Sequence, residues 1–333
     1  MDATAAQSSE RTIPLIEIDS APPIALVEAA PDSLADIMRI ARRRYTPLGM
    51  RLGDAFSKAW LVRAGNPYLK EIADIAERVG KPGAFLLNLS YEWTCTSAVS
   101  ADPEHGGNRL LRTLDWPLEG LGRNVVISRQ RGMAGEYYNV TWPGFAGVLT
   151  AMAPGRFSAA INQPPMRRYT FSCWLDWIVE RYHLNKRKAL PPAHLLRHVF
   201  DTCETFEAAK QALIETPINM PAFFSLSGAH EDEGCVIERT ENDAHVHEGP
   251  FCMANHWLGL EEDGRLRGYD SHGRRALMDE HYETAPNDFS WVHPPILNTA
   301  TRLAVIANAA KKKLMVQGLE RDGAATKVFK LGA

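Results

Sequence analysis

The sequence has no CxxC pair, no HExxH run, no surplus of basic charge and no apolar stretch long enough to span a membrane. Each absence removes a class. Five cysteines at irregular spacing among 333 residues do not make a disulfide framework; they fit a reducing compartment and leave at least one thiol free. Without HExxH or paired cysteines, "HVHEGPFCMANH" (His245, His247, Cys252, His256) reads as ordinary strand histidines rather than a zinc site, so no metal and no cofactor is expected. A formal net charge of -3 gives no electrostatic reason to bind nucleic acid. The short basic runs Arg42 to Arg44, Lys186 to Lys188 and Lys311 to Lys313 are solvated faces on this reading, with transient contact to a membrane surface as the second one. The opening "MDATAAQSSERTIPLIEIDSAPP" has an acid at position 2 and no signal-like apolar run, so the expected location is cytoplasmic.

What is present changes character near position 94. Residues 1–30 show little pattern and are expected to form a mobile extension. Residues 31–94 read as helical: Asp32 or Ser33 caps a helix carrying Leu34, Ile37, Met38 and Ala41. A second helix runs from Asn66 as N-cap through Pro67 to Gly80, with Leu69, Ile72, Ile75, Ala76 and Val79 on one face. "PGAFLLNLSYEW" reads as a short buried helix. From Cys95 on, short strands separated by Gly and Pro take over, among them "TSAVSA", "NVVISRQR", "YYNVTW", "GVLTAM" and "RFSAAIN". Helices return between about 171 and 215, including "TFEAAKQALIET" capped by Thr205. Strands resume at "AFFSLSG", "GCVIERT", "DAHVHEG" and "FCMANHW", and a hairpin is expected at Asp322-Gly323. Blocks of strands, helices and strands predict an α+β chain with antiparallel sheets.

Cys95 stands at that change of character, between two threonines. A lone strand cysteine is ordinarily a small buried hydrophobe. Arg112 and Asp115 lie within twenty residues, and a cation beside a thiol favours the thiolate. Three residues apart, they fall on opposite faces of a regular strand, so both serve one site only if the strand bends.

The run "CTSAVSADPEHGGNRLLRTLDWP" resembles the segment of the acid ceramidase and N-acylethanolamine acid amidase family that begins at the catalytic Cys-Thr-Ser and ends in Arg-Asn-x-Asp, with Thr113 in the Asn place. "NPYLKEIADIAERVGKPGAFLLNLSYE" is similar to the family segment ahead of the nucleophile. "FAGVLTAMAPGRFSAAINQ" resembles a later run that ends in Asn-Glu, with Gln163 in the Glu place. "PAFFSLSGAHEDEGCVIERT", "CMANHW" and "HGRRALM" resemble the core strands, the Asn after them and an Arg pair opening the next helix. The likeness covers roughly 66 to 330.

The resemblance implies an N-terminal nucleophile hydrolase, related to the choloylglycine hydrolases, with a four-layer αββα fold. It further implies cleavage of the Thr94–Cys95 bond, leaving 31–94 as a retained partner segment and 95–333 as the catalytic domain. A freed α-amine has a pKa of roughly 8, so Cys95 would supply both nucleophile and base. By the same likeness Arg112 stabilises the thiolate, Asp115 holds the amine, Asn255 donates to the oxyanion with Asn162 as a second donor, and Arg274 orients its Asn or Asp neighbours unless Arg275 does so. Gln163 cannot act as the carboxylate it replaces, and is placed with Asn162 among the oxyanion or substrate-binding residues. Trp142 and Phe145, with Trp174 and Trp177, either line an acyl pocket or fill the core. The implied activity is hydrolysis of a linear N-acyl amide through a thioester. An acyltransferase, a bile-salt or penicillin acylase, and a non-catalytic acyl-amide binder that never cuts itself are the alternatives. Oligomeric state is not readable.

Overall fold

The computed structural model describes residues 11–184 and 186–332, apart from the side chain of Trp174. Its first part is helical: α1 (Ile24–Ala29), α2 (Pro31–Tyr45), α3 (Pro47–Ala64), α4 (Leu69–Val79) and α5 (Ala84–Leu89). In α4 the apolar period buries Ile72 and Ile75, and Gly80 ends the helix at φ 63°, donating to the carbonyls of Ala76 and Glu77. Its start differs from the sequence expectation. Asn66 caps a preceding turn, its Oδ1 accepting from the Tyr68 N–H at 2.9 Å, and the helix begins at Leu69. α2 likewise begins at Pro31, ahead of the expected caps, with Asp32 in its first turn. The 18-residue α3 falls within the stretch read as helical, but no individual helix is marked there in the sequence. It buries Trp60 and Leu61 while leaving Leu48, Leu52 and Val62 exposed, so its apolar residues do not mark one face.

The strands are β1 (Leu15–Asp19), β2 (Thr94–Ala101), β3 (Asn108–Asp115), β4 (Val126–Gly132), β5 (Gly135–Thr141), β6 (Thr150–Ala153), β7 (Phe157–Asn162), β8 (Met166–Arg167), β9 (Ala222–Gly228), β10 (Gly234–Arg239), β11 (Ala244–Glu248), β12 (Phe251–Met253), β13 (Gly264–Arg265), β14 (Thr301–Asn308), β15 (Lys313–Glu320), β16 (Gly323–Ala324) and β17 (Phe329–Leu331). One sheet has the order β1-β4-β5-β6-β7-β9-β10-β11. A second runs β12-β2-β3-β14-β15-β16, with β17 also on β15, and β8 and β13 form a small ribbon. β1 pairs with β4 in parallel. The chain from Leu15 onward is therefore part of the sheet, which corrects the expectation of a mobile extension over residues 1–30; residues 1–10 lie outside the described residues. The expected turn at Asp322-Gly323 connects β15 to β16.

The two sheets lie face to face, β2 and β3 packing on β7 and β9. Three further helices are α6 (Cys173–Leu184), α7 (Pro192–Thr202) and α8 (Phe206–Glu215), and α9 (Ser271–His281) follows near the end. α7 and α8 cover the outer face of the first sheet, and α9 covers β2 and β12 of the second. This is the αββα order. Side-chain alternation explains the layering. Val99, Leu110 and Leu114 join the core between the sheets, whereas Ala98 and Leu111 join Met278 and Trp291 beneath α9. Among the described residues no helix is long and apolar enough to cross a membrane.

Candidate active site

Cys95 is the second residue of β2, and its odd-numbered face looks between the sheets. Its register partner is Leu114, while Ser97 lies opposite Arg112, so the Arg112 guanidinium comes up on the same side as the thiol. Arg112 Nη2 lies 3.0 Å from Cys95 Sγ and also donates to the Ile161 carbonyl at 3.1 Å, while Nη1 donates to the Leu149 carbonyl. Both side chains are fully buried. Burial pushes the Cys95 thiol above its ordinary value, and the Arg112 charge opposes that shift.

The other face of β2 is built by Arg274, from the first turn of α9, and by Asn255, just past β12. Asn255 Oδ1 accepts from the Cys95 N–H at 3.1 Å and from Arg274 Nη2 at 2.8 Å. Its Nδ2 donates to the Gln163 carbonyl at 2.6 Å. Arg274 Nη1 donates to the Cys95 carbonyl at 2.8 Å and to Thr96 Oγ1 at 2.9 Å. Asp270 caps this helix by accepting from the Gly273 N–H, which fixes where Arg274 leaves it. Arg275 turns away, its Nε donating to the Cys252 carbonyl.

Asp115 lies beside the Thr94–Cys95 junction, in register with Thr94, and its charge acts on the Cys95 thiol. It lies on the Arg274 face, 3.5 Å from Arg274 Nη1, and accepts from Asn298 Nδ2 at 3.0 Å and Thr301 Oγ1 at 2.8 Å. No hydrogen bond joins it to Cys95. Arg112 and Asp115 occupy opposite faces, as strand periodicity requires, and Arg274 bridges from Asp115 to the Cys95 backbone instead of a bend doing so. Burial raises the Asp115 carboxyl, with Arg274 the largest opposing influence.

The two expected oxyanion amides are otherwise engaged. Asn162 Nδ2 donates to Ser97 Oγ at 2.9 Å and to the carbonyls of Met253 and Ala254, and Asn255 gives its amide to Gln163. Gln163 itself is buried, with its Nε2 lacking a partner among the described residues. Trp142 and Phe145 line an apolar cavity with Ile37, Ile75 and Trp116, beneath α2 and α4. Trp177 lines a different one, of about 360 Å³, whose floor includes Thr94, the residue before the candidate nucleophile. The side chain of Trp174 lies outside the described residues.

The histidines meet in pairs, His245 with His247 and His256 with His272, their ring centroids 4.6 and 4.0 Å apart. His247 bonds Glu238 and His256 Nδ1 lies 2.8 Å from Ser271 Oγ; no group of three or more metal-ligating side chains occurs among the described residues. Ser271 was missed by sequence reasoning. Its hydroxyl also accepts from the Asn255 N–H at 2.9 Å, so it positions the residue that holds Cys95 N. The missed signal is the stretch "DSHGRR", in which a helix-capping Asp is followed directly by a serine.

No protein-family model matches the chain. Over 223 residues, 60% of its length, it is 28% identical to acid ceramidase of Heterocephalus glaber, of which it covers 54%. Over 191 residues, 52% of its length, it is 30% identical to acid ceramidase of Bos taurus, of which it covers 47%. Over these segments the chain is similar to acid ceramidases. It spans about half the length of the curated relatives it matches. Among solved structures, a Caenorhabditis elegans N-acylethanolamine-hydrolyzing acid amidase ortholog aligns with a TM-score of 0.49 at 20% identity, covering 64% of this chain and 93% of that one.

Proposed function

We propose that this acid ceramidase relative is a self-processing cysteine amidohydrolase that cleaves a linear amide between a hydrophobic acyl group and a small amine. One observation carries the reading: the Cys95 thiol rests on Arg112 while its backbone nitrogen is held by Asn255, so nucleophile and prospective amine are both gripped before any bond is cut. In the uncut chain Thr94, not Cys95, lines the cavity. Attack of Sγ on the Thr94 carbonyl carbon would form a thioester, break the C–N bond and leave a proton on the Cys95 nitrogen. Water then hydrolyses the thioester, giving a Thr94 carboxylate and a free thiol and amine at Cys95.

The second cycle reuses the same atoms. The amine, with a pKa of roughly 8, takes the thiol proton as Sγ attacks the substrate carbonyl, and returns it to the leaving amine. Arg112 offsets the cost of a buried thiolate, and Arg274 with Asn255 keeps the Cys95 backbone fixed through both steps. The Gln163 Nε2, buried and unpartnered, is the side-chain donor left for the oxyanion once Asn162 and Asn255 are accounted for.

Intact mass and N-terminal sequencing of wild type beside Cys95→Ala, across acid and neutral pH, test the first half. Two fragments in the wild type alone, one beginning Cys95-Thr96-Ser97, are expected. Release of free amine from N-acyl amides tests the second half, and adding an acceptor amine separates hydrolysis from acyl transfer. An uncut chain that binds amides without releasing amine would establish a non-catalytic acyl-amide binder instead.

A further inference from the structure

The cavity over Thr94 mixes two kinds of lining. Met166, Trp177, Leu184 and Leu266 are apolar, and among them stand Arg44, Arg181, Arg265 and Arg267, with only Glu92 and Glu180 as lining carboxylates. Four cations face two anions, so the lining carries surplus positive charge.

Most of these groups are already matched. Arg44 lies 3.9 Å from Glu92, which also accepts from the Tyr45 hydroxyl at 3.0 Å. Glu180 accepts from the Tyr169 hydroxyl at 2.6 Å. Arg265 pairs with Asp176 at 2.6 Å, and Arg181 donates to the carbonyls of Leu89 and Ser90. Arg267 differs. It makes no hydrogen bond or ion pair with any described residue, and its Nε is shut away from solvent without a partner. Burial pushes its guanidinium down to about 10 against the pull of Glu180 and Glu92. A half-buried guanidinium left without a hydrogen bond or ion pair beside an open cavity is positioned to take an anionic group that enters. Gly268, the next residue, lies against Thr94, so a group bound by Arg267 sits close to the bond at which the chemistry is proposed.

We propose that Arg267 is the headgroup-recognition residue of this cavity, and that its ligand is an N-acyl amino acid: a hydrophobic acyl chain in amide linkage to an amine that bears a carboxylate. The apolar side chains of the lining take the acyl half, so the charge that Arg267 matches belongs to the amine half. A guanidinium fork matches a carboxylate with two parallel hydrogen bonds, whereas a neutral hydroxyl headgroup leaves the charge unmatched. The inference deepens the amidase reading by naming the substrate class, but its binding component does not depend on turnover.

The test is calorimetric titration of full-length Cys95→Ala with N-lauroylglycine and N-lauroylethanolamine, each below its micelle concentration, repeated with Arg267→Gln and Arg267→Lys added. The expected result is binding of the glycine conjugate about tenfold or more tighter than the ethanolamine conjugate. Arg267→Gln should erase that gap by weakening the glycine conjugate alone, and Arg267→Lys, which keeps the charge, should restore part of it. Equal affinities, no binding of either probe, or a preference that survives Arg267→Gln would overturn the proposal. Amine release by wild-type protein is scored in parallel. A binding preference without release of glycine or ethanolamine would sink the amidase reading and leave the Arg267 site standing; release of both amines without a preference would do the reverse.

Discussion

The backbone of Gly268 closes directly over the side chain of Thr94, at a φ of +71° and with no room between them for a Cβ. The residue that supplies the carbonyl of the proposed cut is thereby roofed by bare backbone. Gly268→Val adds bulk where Thr94 stands and forces a branched side chain into a left-handed conformation, a strain of about 1–2 kcal/mol before the clash is counted. The expected outcome is self-cleavage at least about tenfold slower on a timed gel, with a lowered melting temperature. Cleavage at the wild-type rate would show that Thr94 placement does not govern the step.

Thiol reactivity should report the state of the Thr94–Cys95 bond. Among the cysteines Cys173 is exposed, while Cys95, Cys203, Cys235 and Cys252 are buried, and burial raises the Cys95 thiol. Titration with a disulfide reagent should therefore find one fast thiol in uncut wild type and in Cys95→Ala alike. A second fast thiol should appear in wild type as the new N-terminus accumulates. A fast Cys95 in the uncut chain would contradict the closed site.

Arg112 serves the thiol and two main-chain carbonyls at once. Arg112→Met keeps volume but leaves the Leu149 and Ile161 carbonyls without this donor, a cost of about 1–3 kcal/mol. It also removes the cation beside Sγ, so activity should fall by two orders of magnitude or more. Arg112→Lys should recover stability better than rate, because an ammonium cannot reach both carbonyls and the sulfur in the geometry of a guanidinium. Equal losses of stability and rate in both variants would reduce Arg112 to a packing role.

Acid should loosen the α9 end of the site. His256 is held down to about 4, first by burial and then by His272, Arg275 and Arg274. Its unfolded value is near 6.5, so between about pH 6.5 and 4 the unfolded chain binds the extra proton. Stability then falls as pH drops through that window, by up to about 3 kcal/mol for this residue. His194, fully buried and held to about 3, acts in the same direction. His256→Gln should flatten the slope of melting temperature against pH in that range; an unchanged slope would assign the acid sensitivity elsewhere.

Much of this arrangement could be read from the sequence, and the failures have physical causes. Strand periodicity puts Arg112 and Asp115 on opposite faces, although no strand is marked over Asn108–Asp115 in the sequence; what periodicity could not supply was Arg274, 159 residues beyond Asp115, reaching back to join them. Asn255 and Asn162 were visible as candidate amides, but an amide's partners are set by tertiary neighbours such as Ser97 and the Gln163 carbonyl. α3 escaped because Leu48, Leu52 and Val62 face outward and blur its period. β1 escaped because a five-residue strand with one buried side chain pairs only with a strand more than a hundred residues away. Arg267 carries no local signal at all: its isolation is a property of what surrounds it.

The parallel pairing of β1 with β4 joins two stretches that would lie on either side of a break at Thr94–Cys95. Trp60, Leu61, Ile72, Phe85 and Trp93 extend that interlocking into the main core. Before the break, recovery from denaturation is a unimolecular search. After it, two polypeptides must find each other, and recovery becomes second order and dependent on dilution. The cut would thus make the native molecule historical as well as thermodynamic: assembled once as a single chain, and held afterwards by the slowness of coming apart.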